Sequence, residues 1–236
     1  MGMPEENNKK HPVSIIRYRN TEPGPQQDVP GQIMNILSDV AGISQNNQLT
    51  DERLTAIINH FWSMRGRLNN KLAAEGAADS LSEKRYKKLL ISLLDELIRE
   101  STGVQEITRK SGQMLKISAD RLNISRLRAL HHQWHDQTRA SALNQPPLPE
   151  KVVPENPVRD WYKNTGKSQF AHLPASLVLG DALSHLSAAT EELWLEGRYR
   201  FSPGSLPEKL QNFDAASQAV TGALTGLDAQ ISRLAD

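Results

Sequence analysis

Cysteine is absent from the 236 residues of the chain, which excludes a disulfide framework, a thiolate zinc site and a cysteine nucleophile. Aromatic side chains are few, at 5% of residues. No stretch supplies the roughly 20 nearly uniform apolar residues that a membrane-spanning helix requires. The residues that follow Met1 lack an apolar segment, so no secretory leader is expected. These absences predict a soluble protein, with the reducing cytoplasm as its expected location.

An excess of charge of either sign is also lacking, because 28 basic residues face 27 acidic ones and the net charge is +1. A generally basic surface of the kind that binds nucleic acids without sequence preference is therefore not expected. The charges are unevenly distributed, however. Residues 1–140 carry 20 basic and 16 acidic side chains, a net of +4, whereas residues 141–236 carry 8 and 11, a net of −3. Any anion-binding surface is expected in the first part.

Proline is missing between Gly31 and Gln145, whereas five prolines lie within 146–157. Because a proline inside a helix costs about 3 kcal/mol or more, the first stretch permits long helices and the second favours a stiff, extended linker. The predicted organisation is a flexible arm at 1–30, a helical domain at 31–142, a proline-rich linker at 143–158 and a C-terminal helical unit at 159–236. The β-like run 13–19 is interpreted as a disordered or edge segment, or as a docking strand for a partner.

Apolar side chains recur every three or four positions along most of the chain, which is typical of amphipathic helices. One such stripe predicts a helix over about 51–74 that Thr50 or Asp51 caps. Ser80 and Glu83 form a capping box before a second, broader stripe at 86–98, and Thr102 indicates a further helix start. The predicted fold class is all-α: a multi-helix bundle, then the linker, then a smaller helical unit.

The last helix has the most regular apolar pattern. Its seam has a heptad spacing and consists of Leu210, Phe213, Val220, Leu224, Leu227, Ile231 and Leu234, with Ser217 in the missing position. Few charges flank the seam, although paired coiled-coil helices usually carry charges there. An internal bundle helix is therefore favoured, and a homodimer seam through Leu224, Leu227 and Ile231 is the alternative.

A basic group occupies the first turns of the helix that begins near Ser80. It consists of Lys84, Arg85, Lys87 and Lys88. Cations at this end oppose the helix dipole, which favours anions there by about 0.3–1 kcal/mol each. The group is interpreted either as a solvated face beside a neighbouring helix or as a binding site for an acidic partner or a phosphate.

Residues 119–130 resemble the core of a helix-turn-helix motif, in which Asn123 would adopt the turn conformation. The resemblance implies that Arg126 and Arg128 lie early in a recognition helix and, with Arg121, contact DNA. Two positions depart from the motif, since Ser118 replaces the usual apolar residue and Ala129 is small for its place. An ordinary amphipathic helix pair over about 115–135 is the alternative interpretation.

The remaining patterns do not complete a chemical site. Gly166-Lys167-Ser168 resembles the end of a phosphate-binding loop, but Trp161 stands where that loop needs glycine. His131 and His135 share a helix face without a further ligand, so neither a metal nor a cofactor is predicted. Trp161 and its aromatic neighbour at 162 lie among basic residues, which suits either a core cover or stacking against a single nucleic-acid strand.

These observations together favour a non-enzymatic helical adaptor or assembly protein of a bacterial-type cytoplasmic complex. No catalytic motif was found in the sequence. Its partner would be an unidentified protein or a second copy of the chain, with no membrane involved. The alternative is a DNA-binding regulator or DNA-processing accessory factor that uses the segment at about 115–135.

Overall fold

The computed structural model describes residues 29–74, 80–143, 155–199 and 205–235. The predicted arm, apart from its last residues, and most of the predicted linker lie outside these ranges, as does the β-like run 13–19. The main helices are α1 (Val29–Ala74), α2 (Leu81–Leu143), α3 (Pro157–Trp161), α4 (Lys167–Gln169), α5 (Pro174–Tyr199) and α6 (Ser205–Ser232). A π-helical turn, Tyr162–Gly166, joins α3 to α4, and a 3-10 turn, Arg233–Ala235, follows α6. The all-α prediction is confirmed, since no strand occurs within the described ranges.

The two longest helices form an antiparallel hairpin. With 46 and 63 residues, α1 and α2 are about 69 Å and 95 Å long at 1.5 Å per residue, and α1 packs chiefly against α2. Arg109 donates two hydrogen bonds to the carboxylate of Asp51, at 2.7 and 3.2 Å. The Nε2 of Gln105 donates to Thr55 Oγ1 at 2.6 Å. Further along the hairpin, the guanidinium of Arg65 pairs with Asp95, so polar contacts fix the register of the two helices.

The helix ends of the hairpin agree only partly with the sequence. The predicted cap at Ser80 is confirmed, because its Oγ accepts the backbone N–H of Glu83 at 3.3 Å. The predicted helix starts near Thr50 and Thr102 are wrong, since α1 and α2 continue through both positions. Each hydroxyl instead donates to the carbonyl four residues earlier, at 2.8 and 2.7 Å. Threonine commonly makes this bond inside a helix.

The second half of α2 shares one hydrophobic core with α3, α5 and α6. Members of this core without exposed surface include Ile124, Val158, Leu179, Leu193, Phe213, Val220, Leu224, Leu227 and Ile231. The core therefore extends across the predicted boundary at 143–158, and two residues at the end of that segment, Asn156 and Val158, are buried in it. The molecule consists of a helical bundle from which the α1–α2 hairpin extends. None of the helices placed by the structure combines the length and apolarity needed to cross a bilayer.

Two glycines allow aromatic side chains to close the corner between α3 and α5. A Cβ on Gly166 would lie 2.7 Å from ring carbons of Trp161, and one on Gly180 would lie 2.7 Å from the hydroxyl oxygen of Tyr162. That hydroxyl donates to the carbonyl of Ser176 at 2.9 Å. Trp161 and Tyr162 both pack against the core, which confirms their interpretation as a core cover.

Replacing Gly166 with alanine is expected to lower the free energy of unfolding by about 1–3 kcal/mol, because the new methyl group would displace the Trp161 ring. The matched control is Gly222→Ala in α6, where a Cβ meets no other atom within 4 Å. That variant should gain about 0.5–1 kcal/mol, since alanine is the better helix former. Urea unfolding followed by circular dichroism measures both values. Equal effects at the two positions would contradict this description of the corner.

Candidate functional site

The end of the hairpin at which α1 stops and α2 starts carries a groove of about 580 Å³ on one side. We call this site the tip groove. Its walls are His60, Met64, Arg67, Leu68 and Lys71 from α1 and Leu90, Leu93, Leu94 and Leu97 from α2. Spacings of three and four residues place each set on a single face of its helix. The two faces leave an open, mainly apolar trough between the helices.

The floor of the tip groove is buried but its walls are not. Leu94 is buried at the contact with α1, whereas Leu93 and Leu97 are each 47% exposed and Met64 is 37% exposed. Leucine and methionine gain about 25 cal/mol for each Å² of apolar surface that leaves water. These side chains would therefore be stabilised by any apolar surface that covers the groove.

Exposed apolar side chains continue along the rest of the hairpin. They include Met34, Ile36, Ile43, Leu49, Ile57, Trp62, Leu81, Tyr86, Leu89, Val104, Ile107 and Met114. Before Ile117, the hairpin buries only Ile58, Leu94 and Ile98 among its described large apolar residues. So few are buried because a helix that packs against a single neighbour buries only a narrow stripe of its surface. The apolar stripes of α1 and α2 are broader than that. On α2, the exposed apolar residues recur at helical spacing and form one stripe, which is typical of interaction sites; they are Tyr86, Leu89, Leu93, Leu97, Val104 and Ile107.

The charged side chains that line the tip groove are basic. They are Arg67 and Lys71, and His60 also lines the groove. The basic group predicted from the sequence lies at the same end of the hairpin, on the first turns of α2. Arg85 and Lys88 of this group are exposed, and Lys84 and Lys87 are half-buried. The acidic residue in this first turn is Glu83.

A buried polar contact in the bundle joins three helices at His131. Its Nε2 lies 3.3 Å from the carbonyl oxygen and 2.9 Å from the Oγ of Ser217, and its Nδ1 lies 3.1 Å from Asn156 Nδ2. The amide of Asn156 is a donor, so Nδ1 accepts and the proton of the neutral ring is on Nε2, which donates to Ser217. Asn156 also caps α3 by accepting the N–H of Val158 at 2.8 Å. Burial lowers the pKa of His131 to about 4.

A second polar cluster also joins α2 to α6. Asp214 lies 2.8 Å from the Nε2 of His135 and accepts a hydrogen bond from Arg139 at 2.9 Å. The His135 ring stacks on Phe213 with centroids 5.0 Å apart. The two histidines considered as a metal pair thus bind separate partners. Among the residues that the structure places, no three metal-ligating side chains come together.

The helix-turn-helix interpretation of 115–135 is wrong as a structure. Residues 115–135 lie within one uninterrupted helix, and Ile124 and Leu127 are buried in the core of the bundle. The three arginines proposed to contact DNA bind side chains of their own chain. Arg121 donates to Asp228 at 3.0 Å, Arg126 to Asn123 at 3.3 Å and Arg128 to Thr225 at 3.4 Å. The helical periodicity of the flanking residues thus outweighs the turn preference of Asn123.

The homodimer seam on the last helix is also corrected. Leu224, Leu227 and Ile231 have no exposed surface, because all three pack inside the core of one chain. The favoured interpretation, that α6 is an internal helix of the bundle, is therefore the one that the structure has. Ser217, which interrupts the heptad, is buried and binds His131. The gap in the apolar pattern is thus the place where a polar side chain serves a buried histidine.

Sequence reasoning found the basic group at the hairpin tip but missed the tip groove beside it. The apolar positions of the groove belong to the two predicted helical stripes, at 51–74 and 86–98. Their signal was the breadth of the stripe at 86–98, which exceeds what one neighbouring helix can bury. No protein-family model matches this chain, and neither curated proteins nor solved structures yield a match.

Proposed function

We propose that the protein is a non-enzymatic helical adaptor or assembly protein of a bacterial-type cytoplasmic complex, and that its hairpin binds the protein partner. One observation carries this proposal: the exposed apolar stripe of α2 together with the tip groove beside it. Large apolar surfaces left exposed on an otherwise folded chain are typical of protein–protein contact sites. The cytoplasmic location is proposed together with the function, on the lack of cysteine.

The division of the chain into a bundle and a hairpin supports this role. The bundle has a buried apolar core to which α6 contributes, although Leu177, Val178 and Leu195 of α5 are exposed. The hairpin has a much smaller buried core, because most of its described large apolar residues remain exposed. The ion pairs Asp51–Arg109 and Arg65–Asp95 hold the two long helices in register, and a surface ordered before binding limits the entropy lost on binding.

The alternative function, DNA binding through Arg121, Arg126 and Arg128, has less support. Recognition of a DNA groove requires a helix whose side chains reach the base edges. These three side chains point along the surface of the bundle toward Asp228, Asn123 and Thr225.

A photo-cross-linking amino acid in place of Leu93 is expected to trap one or a few discrete protein partners in the cells that make the protein. The matched control replaces Leu177, which is 65% exposed on α5 in the bundle and should trap none of them. Electrophoresis and mass spectrometry identify the products. The adaptor proposal would be wrong if Leu93 gave no adduct, or if both positions gave the same adducts.

A further inference from the structure

We infer that the tip groove binds an amphipathic helix of a separate protein, with an acidic flank, so that three helices form a bundle at the end of the hairpin. This inference rests on the proposed adaptor function and specifies the class of partner. Two properties of the groove support it, namely its shape and its charge. The poorer match of other possible occupants supports it as well.

The shape of the groove fits a helix. Two parallel walls of apolar side chains, with Met64 and Leu68 on one and Leu93 and Leu97 on the other, follow the axes of α1 and α2. The row on α2 extends at helical spacing to Tyr86 in one direction and Val104 in the other, both exposed, together with Leu89. These positions span about 27 Å, the length of a helix of about 18 residues. A helix laid in a groove places residues i, i+3, i+4 and i+7 against such walls.

The charge of the groove selects an acidic flank. The α1 edge presents Arg67 and Lys71, one turn apart, with His60 further along, and no carboxylate lines the groove. The α2 edge differs, because Glu96 and Glu100, three and seven positions after Leu93, are exposed there. The bound helix is thus expected to carry Asp or Glu on the flank that meets α1 and neutral or basic residues on the other. Charge complementarity of this kind mainly determines which partner binds and how fast.

Other occupants match the groove less well. A second copy of the hairpin would bring an acidic α2 edge and also a second cationic α1 edge with Arg67 and Lys71, so its charge is mixed where the inferred helix is acidic. Two long segments of the chain outside the described residues do not have the required sequence. Residues 1–28 contain four prolines and equal numbers of basic and acidic residues, and residues 144–154 contain four prolines in eleven positions. Proline at such density opposes an amphipathic helix.

The test uses the full chain and two synthetic helical peptides of about 18 residues with identical apolar faces. One peptide has glutamate on the flank that would face α1, and the other has lysine there. Calorimetry at low salt is expected to show at least tenfold tighter binding of the glutamate peptide, and higher salt should reduce this preference because ions screen the contact. Leu93→Asp should weaken binding of the glutamate peptide at least tenfold, whereas Leu177→Asp on α5 should not. Both side chains are exposed, so both variants are expected to fold, and circular dichroism checks this.

Charge reversal provides the second arm. The double variant Arg67→Glu with Lys71→Glu should reverse the preference so that the lysine peptide binds more tightly, whereas Arg233→Glu at the end of α6 should leave it unchanged. Equal binding of both peptides by the wild-type chain, or binding of neither, would overturn the inference. If Leu93 still cross-links to a protein in cells, the adaptor proposal stands even though the acidic class is wrong.

Two further outcomes identify a different occupant. Sedimentation that shows a dimer, lost in Leu93→Asp, would assign the groove to a second copy of the chain. Salt-sensitive binding of duplex DNA that is lost when Lys84, Arg85 and Lys88 become glutamate would assign the tip to nucleic acid. Either result overturns the acidic-helix inference.

Discussion

Leu227→Ala is expected to lower the free energy of unfolding by about 2–5 kcal/mol without changing the mass of the protein in solution. Leu227 has no exposed surface and packs in the core that α6 shares with α2 and α5. Removing its isobutyl carbons loses their transfer free energy and leaves a cavity that the surrounding helices fill only in part. Urea unfolding gives the stability change, and sedimentation gives the mass.

The control for this variant is Leu177→Ala on α5, the same change at a side chain that is 65% exposed. Its cost should stay within about 0.5 kcal/mol, as is usual for surface substitutions. If Leu227 belonged to an oligomer seam, its variant would shift the mass with little loss of stability in the monomer. That pattern would contradict the internal position of α6.

Acidification from pH 7 to pH 4 is expected to destabilise the protein through His131 by about 3 kcal/mol. Its pKa is lowered to about 4 in the fold, because burial removes the ring from water and penalises the charged form. The neutral ring accepts from Asn156 and donates to Ser217. An unfolded histidine has a pKa near 6.5, so the unfolded chain binds the proton first. The contribution is therefore complete above about pH 6.5 and is lost as the pH falls toward 4.

The variant His131→Gln isolates this contribution, since glutamine can donate and accept at similar positions but does not titrate in this range. We expect the stability of His131→Gln to depend less on pH between 6.5 and 4 than that of the wild type. The comparison variant is His185→Gln, whose side chain is exposed on α5 and should leave the pH profile unchanged. Parallel profiles for the wild type and His131→Gln would show that His131 is not the buried neutral ring described here.

Helices were predictable from this sequence because apolar spacing is a local property. Ser80 with Glu83 gave the correct start of α2, since a cap depends on only a few neighbouring residues. The sequence did not predict which residues of a stripe the neighbouring helix would bury. Leu93 and Leu94 are adjacent and identical, yet Leu94 is buried and Leu93 is half-exposed, because the direction of α1 relative to α2 decides between them.

Long-range contacts explain the other differences. Ser217 was visible as a gap in the seam, but its partner His131 lies 86 positions away. Asn123 was interpreted as a turn residue, whereas its neighbours Ile124 and Leu127 gain more by facing the core in a continuous helix. The tip groove combines residues from two helices that are separated in sequence. Which of their apolar side chains face each other across the groove depends on how α1 packs against α2.

Because α2 is one uninterrupted helix, it fixes the distance between the tip groove and the bundle. From Leu93 in the tip groove to Leu127 in the bundle, 34 residues of one helix set a separation of about 51 Å. A partner bound at the tip groove is therefore kept at a fixed distance from a molecule that contacts the bundle. Inserting seven residues, about two turns, into each of the two helices would lengthen that distance and keep the orientation of the tip nearly unchanged. A shorter insertion would rotate the tip groove to another side of the molecule.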